Sequence, residues 1–194
     1  MGDAKQALIR AGEQLFARQG INGARINELT ERAGQRNQSA LHYHFGSREG
    51  LLEAIVQRHV DAVDGERAGL LKVVGSSATL RQLVAVIVTP LAAELSTPSG
   101  RDYLRIVPQI LKSDINPPAL LSAMALAEKH IADLPQAIRS ERLRAMIQIA
   151  TTLLAVRAVA IEDGDKLGLS EPDFIANLIE MCAAALQASW GEPA

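Results

Sequence analysis

Between residues 25 and 48 the chain gathers side chains suited to reading a nucleic acid without covalent chemistry: Arg25, Asn27, Arg36, Asn37, Gln38, Ser39, His42, Tyr43, His44 and Arg48. The amides and hydroxyl of Asn37, Gln38 and Ser39 have donors and acceptors that pair with base edges. His42, Tyr43, His44 and Arg48 suit phosphates or a thymine methyl, and Arg25 and Asn27 suit the sugar–phosphate backbone. A merely solvated polar helix has a similar composition, so the elements that carry these residues must decide between the two readings.

Those elements are legible as helices. Ile26, Leu29 and Ala33 share one helical face, and Gly34 supplies the positive φ that reverses the chain. From about Asn37 a second short helix presents Asn37, Gln38, Ser39 and His42, while Leu41 and Phe45, four residues apart, anchor it inward. Helix, tight turn, exposed polar helix is the helix-turn-helix arrangement, whose second helix enters the major groove. A preceding helix is predicted from Asp3, with Gln6 closing a capping box, an inner stripe of Leu8, Ala11, Leu15 and Phe16, and a left-handed end at Gly20. Ser47 is an N-cap for a long fourth helix, in which Leu51, Leu52, Ile55, Val56 and Val60 keep helical spacing.

The order of these elements resembles the TetR-like transcriptional regulators. The resemblance rests on Gly20, on Ala33-Gly34, and on Leu41-His42-Tyr43-His44-Phe45 followed by Gly46-Ser47-Arg48-Glu49 and Leu51-Leu52, and it covers about the first 60 residues. It departs from the family pattern at three places. His42 stands where the family usually has a tyrosine, Arg25 where it has Ser or Thr, and the turn between Gly34 and Leu41 is one residue longer than usual. The resemblance implies a double-stranded DNA operator, a small-molecule effector and a homodimer.

Composition is compatible with that expectation. The chain has 194 residues, 48% of them hydrophobic, and a formal net charge of −2. The charge is unevenly spread: residues 1–60 hold eight Lys/Arg against six Asp/Glu, and the remainder twelve against sixteen. Local rather than total charge governs attraction to phosphates. No run of 18 or more apolar residues occurs and the N-terminus lacks a continuous apolar signal region, so neither export nor membrane insertion is expected and the cytoplasm is the expected compartment. The single cysteine, Cys182, lies in an apolar helical run and reads as a core thiol.

Beyond residue 60 the patterns predict further helices and no strand. One runs from Leu80 to Leu95 with Pro90 expected to kink or break it; another opens at a Ser99–Asp102 capping box and reaches about Lys112 with Pro108 inside; Pro117-Pro118 starts a third. The last two span Glu141 to Glu162 and Ser170 to Ser189, the latter opened by Ser170-Glu-Pro-Asp173. The expected fold is therefore all-α: a helix-turn-helix DNA-binding domain over residues 1–46, joined by a long helix to a helical ligand-binding and dimerisation domain over 47–194. Ile147, Leu154 and Ile161 with Phe174, Leu178, Met181 and Ala185 make the last helices apolar beyond one neighbour's reach, and the resemblance places a two-fold four-helix interface there.

The resemblance also implies a small-molecule pocket in the body. An aliphatic cavity involving Leu104, Met124, Met146 and Leu153, with Tyr103, Gln109, His130 or Arg157 as polar anchors, is the expectation, since six aromatics are too few for a cage around a cation. His59 and His130 lack partners at metal-ligand spacing and read as structural or surface groups. Neither a nucleophile elbow nor a phosphate-cradling glycine loop occurs, so no catalytic residue, metal or cofactor is assigned. The competing reading is a small-molecule-binding or enzymatic helix bundle without DNA binding.

Overall fold

The computed structural model describes residues 2–35, 39–111, 115 and 117–191, and among these it is all-helical with no strand. Three short elements form the head: α1 (Gly2–Gln19), α2 (Ile26–Arg32) and α3 (Ser39–Phe45). The 27-residue α4 (Arg48–Val74) leads into a body of α5 (Leu80–Ala92), α6 (Pro98–Ile106), α7 (Pro118–Lys129), α8 (Gln136–Asp163) and α9 (Glu171–Gln187). The first helix starts before Asp3, which sits in its first turn rather than capping it.

Caps fix most boundaries. Ser47 accepts from the Gly50 N–H at 3.1 Å to open α4, and Ser170 accepts from Asp173 at 3.3 Å to open α9, both as the sequence implies. The α5 start carries a full capping box between Thr79 and Gln82. Pro90 does not break α5, which continues to Ala92; a 3-10 turn over Ala93–Ser96 follows. The expected box at Ser99–Asp102 is displaced: Thr97 accepts from Gly100 at 3.0 Å and Pro98 takes the first helical position, where its missing N–H costs nothing. This helix ends at Ile106, not near Lys112, and a second 3-10 turn containing Pro108 replaces its last part. Lys112 lies outside the described residues. The eighth helix begins at Gln136, earlier than Glu141, because Pro135 cannot donate but leads well into a first turn.

Two apolar cores result. The head core joins Leu8, Leu15 and Phe16 of α1 to Leu29, Leu41 and, on α4, Leu51, Ile55 and Val56. It extends past residue 46 and includes Tyr103, Ile106 and Val107 at the end of α6. At Gly12 the α1 backbone lies bare against α4: a Cβ there would stand 2.7 Å from Ile55 Cδ1. The body core gathers Leu83, Val84, Ile87, Leu104, Met146, Leu154, Leu178 and Cys182. Burial raises the Cys182 thiol to about 11, which leaves it protonated in its apolar surroundings.

A polar staple invisible in the sequence holds α7. Asp64 on α4 accepts from the N–H groups of Ala119 (3.0 Å) and Leu120 (2.9 Å), satisfying the α7 N-terminus from 55 residues away. The same carboxylate takes Arg67 at 3.0 Å, and Arg67 also donates to the Ile87 carbonyl. Both charged groups are buried. Asp64→Ala removes a cap and strands a buried guanidinium, so it is expected to destabilise the protein by roughly 3–5 kcal/mol in urea unfolding. Val73→Ala, at a side chain 82% exposed, is expected to change stability by less than about 0.5 kcal/mol.

Candidate nucleic-acid interface

The α2 helix is set on α1 by apolar and polar contacts. Leu29 is fully buried, and Arg32 donates to the Gln14 side chain at 2.8 Å. Thr30 folds its hydroxyl back onto the carbonyls of Ile26 and Asn27. The turn that follows is closed by the Gly34 N–H on Glu31 and the Gln35 N–H on Thr30, with Gly34 at φ +67°. That left-handed position is the one the sequence demanded of a glycine. Arg36, Asn37 and Gln38, three of the expected contact residues, lie outside the described residues.

Beyond the turn, α3 is pinned by Leu41, which is fully buried, with Phe45 half-buried beside it. Ser39 and His42 are exposed, and the Tyr43 ring is 73% exposed, the most accessible aromatic in the head. His42 Nδ1 lies 2.9 Å from the Gly46 carbonyl. A carbonyl only accepts, so Nδ1 carries the hydrogen and Nε2 is left facing outward. His44 is half-buried, edge-on to Tyr43 at 5.0 Å and tilted against Phe45 at 6.1 Å, so its ring supports Tyr43.

Arg25, Asn27 and Arg48 also come together. With Ala24, Ile26 and Glu49 they bound a shallow groove of about 380 Å³ where the first turns of α2 and α4 meet. Arg25 occupies the N-cap position of α2 without a side-chain cap bond, so its guanidinium does not serve the helix. Arg48 is more committed. It donates to the Ile21 carbonyl, lies 5.8 Å over the Phe16 ring, and pairs with Glu49 at 2.9 Å. The Glu49 carboxyl is held below its ordinary range, first by a hydrogen bond from its own backbone N–H, with Arg48 and Ser47 adding to it. Arg48 therefore locks the loop after α1 onto the start of α4.

The eight expected ligand contacts lie in and around the body core and at its junction with the head. Leu104 and Met146 are fully buried in the body core, with Met124 and Leu153 half-buried at its edge. Tyr103 stacks on His59, ring centroids 4.3 Å apart and planes 5° from parallel. Gln109 accepts from the Ile21 N–H at 2.9 Å, tying the body to the head, and His130 Nε2 meets the Ala78 carbonyl at 3.0 Å. Arg157 donates to the Leu169 carbonyl and lies 4.9 Å over the Phe174 ring. A cleft of about 490 Å³ lies elsewhere, along α4 from Glu53 to Ala68, with Ile115, Pro117 and Pro118 as its far wall. None of the eight lines it. The signal for it was the spacing of Val56, Val60 and Ala68, which reads equally well as core.

Of the expected dimer contacts, Leu154 and Leu178 are buried within the chain itself, where α8 and α9 pack on their neighbours. Ile147, Ile161, Phe174 and Ala185 are half-buried, and Met181 is 45% exposed. The most exposed large apolar side chains of α8 and α9 are Val156, at 60%, and Met181, itself one of the expected contacts. By length and composition α8 is apolar enough to cross a membrane, yet Leu143, Met146, Ala150, Leu154 and Ala158 hold it in the body core.

Arg48→Ala is expected to lower stability by about 1–2 kcal/mol in urea unfolding, because it removes a hydrogen bond and a ring contact inside the head. Arg25→Ala, which removes neither, is expected to leave stability unchanged.

Residues 8–55 match the sequence model of the family described as bacterial regulatory proteins, tetR family. No curated protein matches the chain in sequence. Solved structures share its fold over nearly the whole length. A gamma-butyrolactone receptor (ArpA-like protein) is 17% identical, with TM-score 0.56, covering 93% of this chain and 96% of its own. The TetR family transcriptional regulator PfmR from Thermus thermophilus is 15% identical, with TM-score 0.55, covering 91% and 96%. A single-residue variant of TetR from Acinetobacter baumannii, in complex with minocycline, is 17% identical, with TM-score 0.53, covering 98% of each chain. Residues 8–55 are therefore a TetR-family N-terminal domain, and the chain as a whole has the fold of the TetR-family transcriptional regulators.

Proposed function

We propose that the protein is a homodimeric, ligand-responsive transcriptional repressor of the cytoplasm, in which α3 enters the major groove of a roughly palindromic operator. The observation that carries this reading is the anchored, outward-facing α3: Leu41 is buried in the core while Ser39, His42 and Tyr43 face solvent. The groove at Arg25, Asn27 and Arg48 is the place for the flanking phosphates. Asn37 and Gln38, by sequence, begin the base-reading surface.

A ligand-responsive body is supported by relatives of the same fold, one a gamma-butyrolactone receptor and one bound to minocycline. We place the effector in the cleft along α4, whose apolar wall of Val56, Val60 and Ala68 and carboxylates of Glu53 and Asp61 suit an apolar molecule with a hydrogen-bond-donating group. An effector wedged between α4 and Pro117-Pro118 favours one setting of α4, and operator release follows as a population shift. The second copy docks on the outer faces of α8 and α9, where Val156 and Met181 are uncovered.

Purified protein should bind an operator with an affinity that falls on a log–log salt plot by about 0.9 per neutralised phosphate. Gln38→Ala is expected to cost roughly 1–3 kcal/mol on the operator and nothing on random duplex, whereas Tyr43→Ala weakens both. Equal losses for Gln38→Ala on operator and random DNA remove it as a base reader, and no binding to any fragment at low salt removes the regulator reading. In sedimentation, Val156→Glu and Met181→Glu should each yield folded monomers; variants that stay dimeric place the interface elsewhere.

A further inference from the structure

His59 on α4 is buried, 5% exposed, and is enclosed by ionisable and polar groups from four different elements. Its Nε2 lies 3.3 Å from Glu13 Oε1 on α1, and its Nδ1 lies 2.9 Å from Glu94 Oε2 in the 3-10 turn after α5. Ser99 Oγ on α6 is 3.5 Å from Nε2, and the Tyr103 ring of α6 covers one face. From α4 itself, Arg58 approaches Glu13 at 3.6 Å from the solvent side, and Arg67 lies within electrostatic reach of Tyr103. Asp102 on α6 adds its charge near Glu13, its own carboxyl raised first by burial.

Carboxylates donate nothing when ionised, so both ring nitrogens have an acceptor opposite them, and only the doubly protonated imidazolium fills both contacts. A neutral ring would turn a lone pair on one of the two carboxylates. Glu13 belongs to the head, whereas Glu94, Ser99 and Tyr103 belong to the body. We propose that the imidazolium of His59 is a proton-operated latch that ties α1 to the body, and that its loss at alkaline pH loosens the head and lowers operator affinity.

Burial, the largest influence, works against the charge, but hydrogen bonds and attraction from Glu13 and Glu94 outweigh it and raise the His59 pKa from 6.5 to about 8. A group whose pKa is raised in the closed state stabilises that state fully below 6.5, and the contribution is lost as pH rises through about 8. The Tyr103 hydroxyl, shifted far upward by burial, then by Glu94, does not ionise in this window. Sequence spacing hid the latch, since Glu13 and Glu94 stand 46 and 35 residues from His59.

The operator clause rests on the function proposed above, so the test begins without DNA. Hydrogen exchange of α1 amides, corrected for the intrinsic rate at each pH and referenced to α8 and α9, should show protection falling by up to about 15-fold between pH 6.5 and 9, the ratio that the shift from 6.5 to about 8 implies over this window. His59→Gln should show low α1 protection at both pH values with no step, and Glu94→Gln a step at lower pH. If His59→Gln does not fold, the wild-type series and the NMR titration of the His59 ring decide. Unchanged α1 protection, an equal fall in every helix, or a ring that titrates at or below 6.5 overturns the latch. Operator affinity should follow the same step; a step in exchange with no DNA binding at any pH keeps the tie between α1 and the body, removes the operator clause and counts against the regulator reading. DNA binding that is flat across the step overturns the operator clause as well.

Discussion

The structure depends on an apolar core that the head cannot complete alone. Three short helices supply Leu8, Leu15, Phe16, Leu29 and Leu41, but the cluster closes only when Leu51, Ile55 and Val56 of α4 and Tyr103, Ile106 and Val107 of α6 are added. A unit of about 45 residues buries too small a share of its surface to be stable unaided. Sharing α4 and α6 solves that problem and creates another property. The same two helices reach the body core, α6 through Leu104 and α4 through Leu70, Leu71 and Val74. The floor on which α3 stands is therefore built from elements that also belong to the body.

Polar contacts repeat this arrangement at the same junction. Gln109 accepts from Ile21, Arg48 fastens the loop after α1 to α4, and His59 bridges α1 to the turn before α6. Packed interiors shift between discrete arrangements more readily than they deform continuously, so a junction built of shared core and a few buried polar links suits a two-state coupling. Val56 is common to the cleft beside α4 and to the head core.

Much of the head, and the start of α9, was legible because the signals there are local. The Gly34 turn, the Leu41 anchor, the Ser47 cap and the Ser170 cap each involve residues within a few positions of one another, where spacing and stereochemistry decide. What escaped depends on distance along the chain. Asp64 capping α7, the Glu13–His59–Glu94 bridge and Arg48 reaching Ile21 join residues 27 to 56 apart. The Thr97 cap could have been found: Pro98 marks a first helical position, and the residue before it becomes the cap. Leu154 and Leu178 show the limit of apolar stripes, which identify a covered face without saying whether the cover is the same chain or a second copy.

Footprinting of the purified protein across genomic DNA tests the central claim most directly, because it asks whether α3 and its mate on a second copy meet two grooves at once. The account predicts a protected, roughly palindromic stretch with half-site centres about one helical turn, or a multiple of it, apart. Protection confined to a single unpaired half-site would contradict the dimeric reading head, and no protection of any fragment at low salt would contradict DNA recognition by this chain.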